Sequence, residues 1–277
     1  MFTRRGNGGI ILLINDHYQN FKSYNIPKAQ LVIADIPYNV GINAYGSNPA
    51  WYVDGDRKKG ESKLAGTEFF DTDKDFRPAE FMHFCSKMMR KEPKQKGCSP
   101  SMIVFCEFEQ QFYLIELAKR YGINNYINLV FRKNFSAQVL KANMRIVGNA
   151  EYALLLFRDK LPKFNNHGKM IFNVIDWEID NKSHLYKKIH PTQKPIKLLE
   201  KLIRIFTDEG DVVIDPVAGS GSTLIAANNT HRKSYGFEIK KDFFKQANEW
   251  IELCKGQISM FEPKRKHQHD QTTILDN

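Results

Sequence analysis

Apolar and polar positions along this chain follow two periods. The first is a set of short apolar runs, each closed by a polar or acidic residue, at 10–15, 31–34, 102–105, 212–214 and 234–239. Unbroken runs of this length are what strands look like when both faces are buried, as in a parallel sheet. The second is helical spacing. Phe81, Phe84, Cys85, Met88 and Met89 share one face of a helix over 78–90, and Leu198, Leu199, Leu202 and Ile203 share one face of a helix over 196–206. Further helices are expected over 17–24, 109–121 (stopped by Gly122), 223–228 and 242–254. Residues 127–132 and 152–158 read as two strands of an antiparallel hairpin with a long basic connection. Strands alternating with helices predict an α/β fold with a doubly wound, mostly parallel sheet carrying that one hairpin. It forms a single domain over residues 10–254.

Three stretches fall outside the pattern. Residues 39–77 hold Gly41, Gly46, Gly55, Gly60 and Gly66 among many charges, including Arg57, Lys58 and Lys59. Loops this long inside a domain are usually functional, so a lid or nucleic-acid clamp is expected, with a passive surface insertion as the alternative. Residues 159–188 are irregular, aromatic and basic, with Phe164, Phe172, Trp177 and Tyr186 among lysines. Residues 255–277 read as a polar, basic, frayed tail.

Composition narrows the partners. The 277 residues are 42% hydrophobic, enough for a sizeable core, and carry a net charge of +10, which favours an anionic partner with nucleic acid first. No apolar run is long enough to span a bilayer, so no membrane role is expected. Cys85, Cys98, Cys106 and Cys254 lack paired metal-ligand spacing and read as reduced thiols, with no metal, in a cytoplasmic protein.

Two motifs carry candidate chemistry. The apolar run 31–34 ends in Asp35-Ile36-Pro37-Tyr38. A carboxylate and the Ile36 carbonyl would then be two acceptors on a stiff edge beside a flat ring, which suits a planar group bearing an NH2. The bland alternative is a strand-ending turn. The second motif is a strand, a turn with Gly219 and Gly221, a helix, and a second strand ending at Glu238. Glycines let a ligand approach the backbone, and an acidic residue after the second strand can accept from ribose hydroxyls. Without Gly-Lys-Ser/Thr or a third glycine, neither ATP hydrolysis nor NAD binding is favoured.

Together these residues resemble the amino-group DNA methyltransferases. Asp35-Ile36-Pro37-Tyr38 is similar to their Asp-Pro-Pro-Tyr motif, and Asp215-Pro216-Val217-Ala218-Gly219-Ser220-Gly221-Ser222 to their S-adenosylmethionine motif. His190-Pro191-Thr192-Gln193-Lys194-Pro195 is similar to the segment preceding it. The catalytic motif precedes the cofactor motif, which is the permuted β-class order. The resemblance implies a class I S-adenosylmethionine-dependent methyltransferase fold. It also implies that Asp35, Ile36, Pro37 and Tyr38 form the catalytic turn, with Tyr38 stacking on a flipped base. Asp35, Asp215, Pro216, Ala218, Gly219, Ser220, Gly221 and Ser222 would line the cofactor pocket, and Glu238 would hold the ribose. Asp16 would lie near the adenine or the amino acid, and Thr192 and Lys194 near the methionine part. Phe131-Arg132-Lys133-Asn134 is similar to a DNA-facing segment, so Lys133 and Asn134 join Lys141, Arg145, Arg57, Lys58 and Lys59 as nucleic-acid-binding candidates. Residues 159–188 fall where this order places target recognition.

The implied reaction is direct methyl transfer from S-adenosylmethionine to an exocyclic amine of DNA. The first residue, Asp35, favours adenine N6. Cytosine N4, an RNA amine, and a non-catalytic S-adenosylmethionine-binding nucleic-acid binder stay open. The resemblance further leaves room for a homodimer and a cognate restriction endonuclease, in a bacterial or phage-encoded protein. Ile36 stands where the family has proline, which predicts a looser turn, and restoring proline should preserve or raise turnover. Val217 stands where phenylalanine is usual.

Overall fold

The computed structural model describes residues 9–37, 76–133, 138–141, 146–177, 189 and 193–261. The strands are β1 (Ile11–Ile14), β2 (Leu31–Asp35), β3 (Ser101–Cys106), β4 (Asn125–Lys133), β5 (Gln138–Lys141), β6 (Ile146–Gly148), β7 (Ala150–Phe157), β8 (Val174–Trp177), β9 (Val212–Asp215) and β10 (Lys233–Phe237). Helices α1 (Pro78–Met88), α2 (Phe108–Arg120), α3 (Ile196–Phe206), α4 (Ser222–Asn229) and α5 (Lys241–Phe261) join a 3-10 turn at Tyr18–Ser23. One eight-stranded sheet runs β1-β10-β9-β2-β3-β7-β4-β8, and β5 and β6 form a separate ribbon. Its neighbours pair in parallel except at β7, which runs antiparallel to both β3 and β4.

Burial on both faces explains the unbroken apolar runs. Along β2, Leu31 and Ile33 join the core beneath α3, α4 and α5, while Val32 and Ala34 join the core beneath α1, α2 and the 3-10 turn. The hairpin read at 127–132 and 152–158 is the β4–β7 pair, with Leu129 opposite Ala153. Helix α3 has the predicted bounds, and its inward leucines are buried. The last helix outruns its predicted end, continuing to Phe261 and making the start of the polar tail helical. Among the described residues no helix is long and apolar enough to cross a membrane.

This topology fixes where a ligand can enter. Helix α4 links β9 to β10 over one face of the sheet, and α1 precedes β3 on the other. The order therefore reverses between β9 and β2, and such a switch point opens a crevice at the carboxyl ends of the strands. The ladder between β2 and β9 stops at Val32 and Ile214, so Asp35 and Asp215 lie beyond it, at the mouth.

Of residues 39–77, the stretch 39–75, with Arg57, Lys58 and Lys59, lies outside the described residues. The stretch 159–188 is divided. Ser99 N donates to Leu161 O at 3.3 Å, Lys163 N to Ser99 O at 3.0 Å and Asn165 N to Ile205 O at 2.6 Å. These partners sit before β3 and at the end of α3, at the sheet edge opposite Asp35. Because β7 runs antiparallel, it delivers the chain to the sheet edge opposite Asp35. Val174–Trp177 then returns as β8, paired to β4 and so part of the main sheet. Residues 178–188 lie outside the described residues.

Candidate active site

The turn after β2 is held from three sides. Ile36 N–H donates to the Phe105 carbonyl at 3.2 Å, carrying the β2–β3 ladder one residue past Asp35. The Ile36 side chain is 2% exposed and belongs to the core under α1 and α2. The Pro37 carbonyl accepts from Gln110 Nε2 at 2.8 Å, while Gln110 Oε1 accepts from Glu107 N–H at 2.9 Å. Gln110 is thus both the third residue of the α2 capping box and a strut under the turn. The looser turn expected from isoleucine is not what the structure builds, because the residue's own N–H and side chain supply the ties. Tyr38 lies outside the described residues.

A line of alternating charges runs sideways from Asp35. Lys194 Nζ lies 2.7 Å from Asp35 Oδ2 and 3.2 Å from Glu151 Oε2, and 5.2 Å from the centre of the Phe105 ring. Glu151 Oε1 in turn accepts from Lys133 Nζ, which sits 4.6 Å from the centre of the Trp177 ring. Burial pulls the Lys194 ammonium down, but the Asp35 and Glu151 carboxylates outweigh it and hold its pKa above the usual lysine value. Lys194, expected beside a cofactor, therefore places its charge on Asp35. Lys133, expected to meet nucleic acid, is 9% exposed and tucked against Glu151 and Trp177. Its position as an inward residue of β4, in step with buried Leu129 and Phe131, is the reason. Lys141 ends β5, and Asn134, Arg145 and Thr192 lie outside the described residues.

Across the crevice stand two more carboxylates. Asp215 ends β9, and its Oδ1 accepts from Val217 N–H at 3.1 Å. Burial pushes its pKa up to about 7 against the hydrogen bonds from Thr223 and Val217, and the nearby charges of Asp35 and Glu238 add to the rise. Glu238 follows β10 and is 8% exposed, with Oε2 accepting from Gly219 N–H at 2.9 Å and Oε1 from Lys240 N–H at 2.7 Å. Burial raises its pKa, partly offset by those backbone bonds. Each oxygen keeps a lone pair for a further donor. Pro216, Ala218, Ser220 and Ser222 are buried in the turn between them, and Ala218 N–H donates to the Phe237 carbonyl at 2.8 Å.

The glycines divide their work differently from the motif reading. Gly219 has φ 52 and aims its amide at Glu238. Gly221 has φ 78, and a Cβ there would meet Ile251 Cδ1 at 3.2 Å and Ala247 Cβ at 3.5 Å. What Gly221 clears is the packing of α5 on the turn. Asp16 likewise acts locally. Its carboxylate accepts from His17 N–H at 2.7 Å, Asn20 Nδ2 at 2.8 Å and Tyr24 OH at 2.7 Å, bonds that lower its pKa and tie the 3-10 turn to the end of β1.

Asp35, Asp215 and Glu238 therefore converge from neighbouring strand ends. Three carboxylates in one buried crevice suit a ligand with a positive centre and adjacent hydroxyls. Sequence reading found all three. It missed Gln110 and Glu151, whose one signal is a polar side chain flanking an apolar strand with no motif around it.

Comparison with known proteins bears on the family and the fold. The N6/N4 methyltransferase family, described as DNA methylase, matches residues 29–249. The DNA adenine methyltransferase YhdJ of Escherichia coli (strain K12) is 26% identical over 260 residues, covering 88% of this chain and 83% of that protein. Among solved structures, the M1.HpyAVI–SAM complex superposes with a TM-score of 0.61 at 23% identity, covering 87% of this chain and 99% of that one. The cytosine-N4-specific PvuII DNA methyltransferase superposes with a TM-score of 0.62 at 14% identity, covering 91% and 96%.

Proposed function

The chain belongs to the DNA methylase family of N6 and N4 amino-group methyltransferases, and from that premise we propose that it methylates the N6 amine of adenine in DNA with S-adenosylmethionine. The observation that carries this reading is Asp35, at the switch-point crevice, held by a buried lysine and facing the carboxylates of Asp215 and Glu238. The adenine activity named for YhdJ supports the choice of base, as does an aspartate at the first position of the catalytic turn. The net charge of +10 supports a DNA partner.

The donor set fits the cofactor. Glu238, oriented by two amides, is placed to accept from ribose hydroxyls, and Asp215, whose pKa burial raises, stands beside it as a second acceptor. When bound, S-adenosylmethionine supplies an electrophilic methyl group on a sulfonium. The chain supplies position. Asp35 and the Ile36 carbonyl each accept one proton of the amine, which favours a pyramidal nitrogen with its lone pair facing the crevice. Lys194 pairs with Asp35 as its counter-ion, and Gln110 fixes the next carbonyl in the turn. A base inside a duplex cannot reach this crevice, so it must leave the stack.

Incubation of the protein with methyl-labelled S-adenosylmethionine and mixed-sequence DNA, followed by nucleoside mass spectrometry, tests this. Labelled N6-methyladenine is expected. Labelled N4-methylcytosine would reassign the base, and cofactor binding without label transfer would overturn the enzyme.

A further inference from the structure

We propose that Arg132 reads a guanine close to the methylated base, its guanidinium held in place by Asp176. The inference deepens the methyltransferase reading and rests on it.

Arg132 stands on the same edge of the sheet as the catalytic turn. Through the pairs Asp35–Phe105, Phe105–Ala153 and Ala153–Leu129, the residue of β4 level with Asp35 is Leu129. Because β7 runs antiparallel to both β3 and β4, β4 points the same way as β2. Arg132 therefore lies three residues beyond Leu129, about 10 Å past that level. The three strand spacings from β2 to β4 set it about 14 Å to the side. That span is a few base-pair steps at ~3.4 Å each, so a duplex that delivers a base to Asp35 passes within reach. The alternation that turns Lys133 inward turns Arg132 outward, onto the face of Tyr152, which lies opposite Val130. Aromatic rings line the surface between the two sites. Tyr152 packs on Phe108 at 5.5 Å between ring centres. Phe108, 50% exposed, belongs to the same turn of α2 as Gln110, which holds Pro37.

The guanidinium fork selects the ligand. Arg132 Nε donates to Asp176 Oδ1 at 2.6 Å and Nη2 to Asp176 Oδ2 at 3.0 Å, so one edge of the guanidinium is filled. The other edge, Nη1 with the second proton of Nη2, has no partner among the described residues and offers two parallel N–H donors. The two side chains are 60% and 68% exposed. A pair as open as this adds little to stability, so its main effect is to fix the direction of the fork. Two parallel donors match O6 and N7 of guanine. Adenine puts a donor beside its N7, cytosine presents a donor, and thymine has one acceptor beside a methyl group. The pair is neutral as a whole, whereas neutralising phosphate takes net positive charge, so a base edge is the better fit.

The test compares the full-length wild type with Arg132→Ala, Arg132→Lys and Asp176→Asn. Each is incubated with S-adenosylmethionine and randomised duplex DNA, and methylated positions are mapped by sequencing that detects modified bases. DNA affinity over a salt series and thermal unfolding are measured alongside. The wild-type map should hold guanine at one fixed position within a few bases of the methylated one. Arg132→Ala should lower the preference for that guanine about tenfold or more and leave the salt slope unchanged. Arg132→Lys, which keeps the charge and loses the fork, should relax the preference as well. Asp176→Asn should relax it in part while DNA of any sequence binds more tightly, because the Arg132 charge is no longer balanced. A wild-type map without such a guanine, or the preference kept in Arg132→Ala, overturns the proposal. An unchanged map with a salt slope reduced by about one would make Arg132 a phosphate contact. An unchanged map with a lower melting temperature would make the pair a tie between β4 and β8. Either result overturns the reading of guanine. A wild type that methylates no DNA base overturns the methyltransferase reading itself, and this inference with it.

Discussion

Replacing Ile36 by proline restores the family motif, and by motif alone it should do no harm. The structure predicts the opposite. Ile36 N–H donates to the Phe105 carbonyl at 3.2 Å, and proline has no N–H to offer. Phe105 is fully buried in β3, so its carbonyl loses a donor where water cannot replace it, costing about 1–3 kcal/mol. The Ile36 side chain is 2% exposed, and losing a buried methylene and its fit costs about 1 kcal/mol more. Against this, proline restricts the unfolded chain and returns roughly 0.4–1 kcal/mol. Asp35 is already extended, so the residue before proline adds no strain. The net expectation is a loss of about 1–3 kcal/mol. Urea unfolding followed by fluorescence should show a lower midpoint at an unchanged slope. Turnover should fall with it, since the same bond sets the height of the Ile36 carbonyl. A variant as stable as the wild type, with equal or higher turnover, would refute the argument and show that the turn gains nothing from that N–H.

Four other expectations follow from the site. Glu238→Ala should weaken S-adenosylmethionine binding by about 1–3 kcal/mol in calorimetry, and unchanged affinity would remove Glu238 from the pocket. Gly221→Ala should destabilise by about 1–2 kcal/mol because of its φ of 78, with Ile251→Val relieving part of the loss; full stability with lost cofactor binding would instead put that glycine against the ligand. Asp215, with a folded pKa of about 7 against an unfolded value of 3.8, binds its proton more tightly when folded. Its contribution to stability is therefore complete below about pH 4 and is lost as pH rises to about 7, by up to ~1.4 kcal/mol per unit. Cofactor affinity should rise over the upper part of that window as a cationic ligand displaces the proton, and Asp215→Asn should abolish the trend; a flat profile in the wild type would contradict it. Lys163→Ala and Asn165→Ala, which remove ties to Asp208 and Thr207 at the far edge of the sheet, should lower the melting temperature without altering which DNA sites are methylated, and a changed methylation map would move recognition back to that stretch.

The local sequence determined what local chemistry can determine. The run Leu31 to Ala34 had to be a buried strand because nothing in it can face water, and Asp35 had to end it. Glycine, aspartate and glutamate at fixed spacing across 215–238 marked a nucleoside pocket because a strand, a tight turn and a helix leave few other uses for them. What these neighbours touch was decided by tertiary structure. Asp35 and Lys194 are 159 residues apart in sequence, and no local pattern pairs them. Lys133 looked like a nucleic-acid contact because Phe131-Arg132-Lys133-Asn134 is similar to a DNA-facing segment, yet the alternation of β4 turns it inward onto Glu151. Gly221 looked like a ligand glycine, yet α5 packs against it. In each case the residue type states which interactions are affordable, while the partner comes from an element folded in from elsewhere, and only the sheet order β9-β2-β3-β7-β4 places those elements side by side.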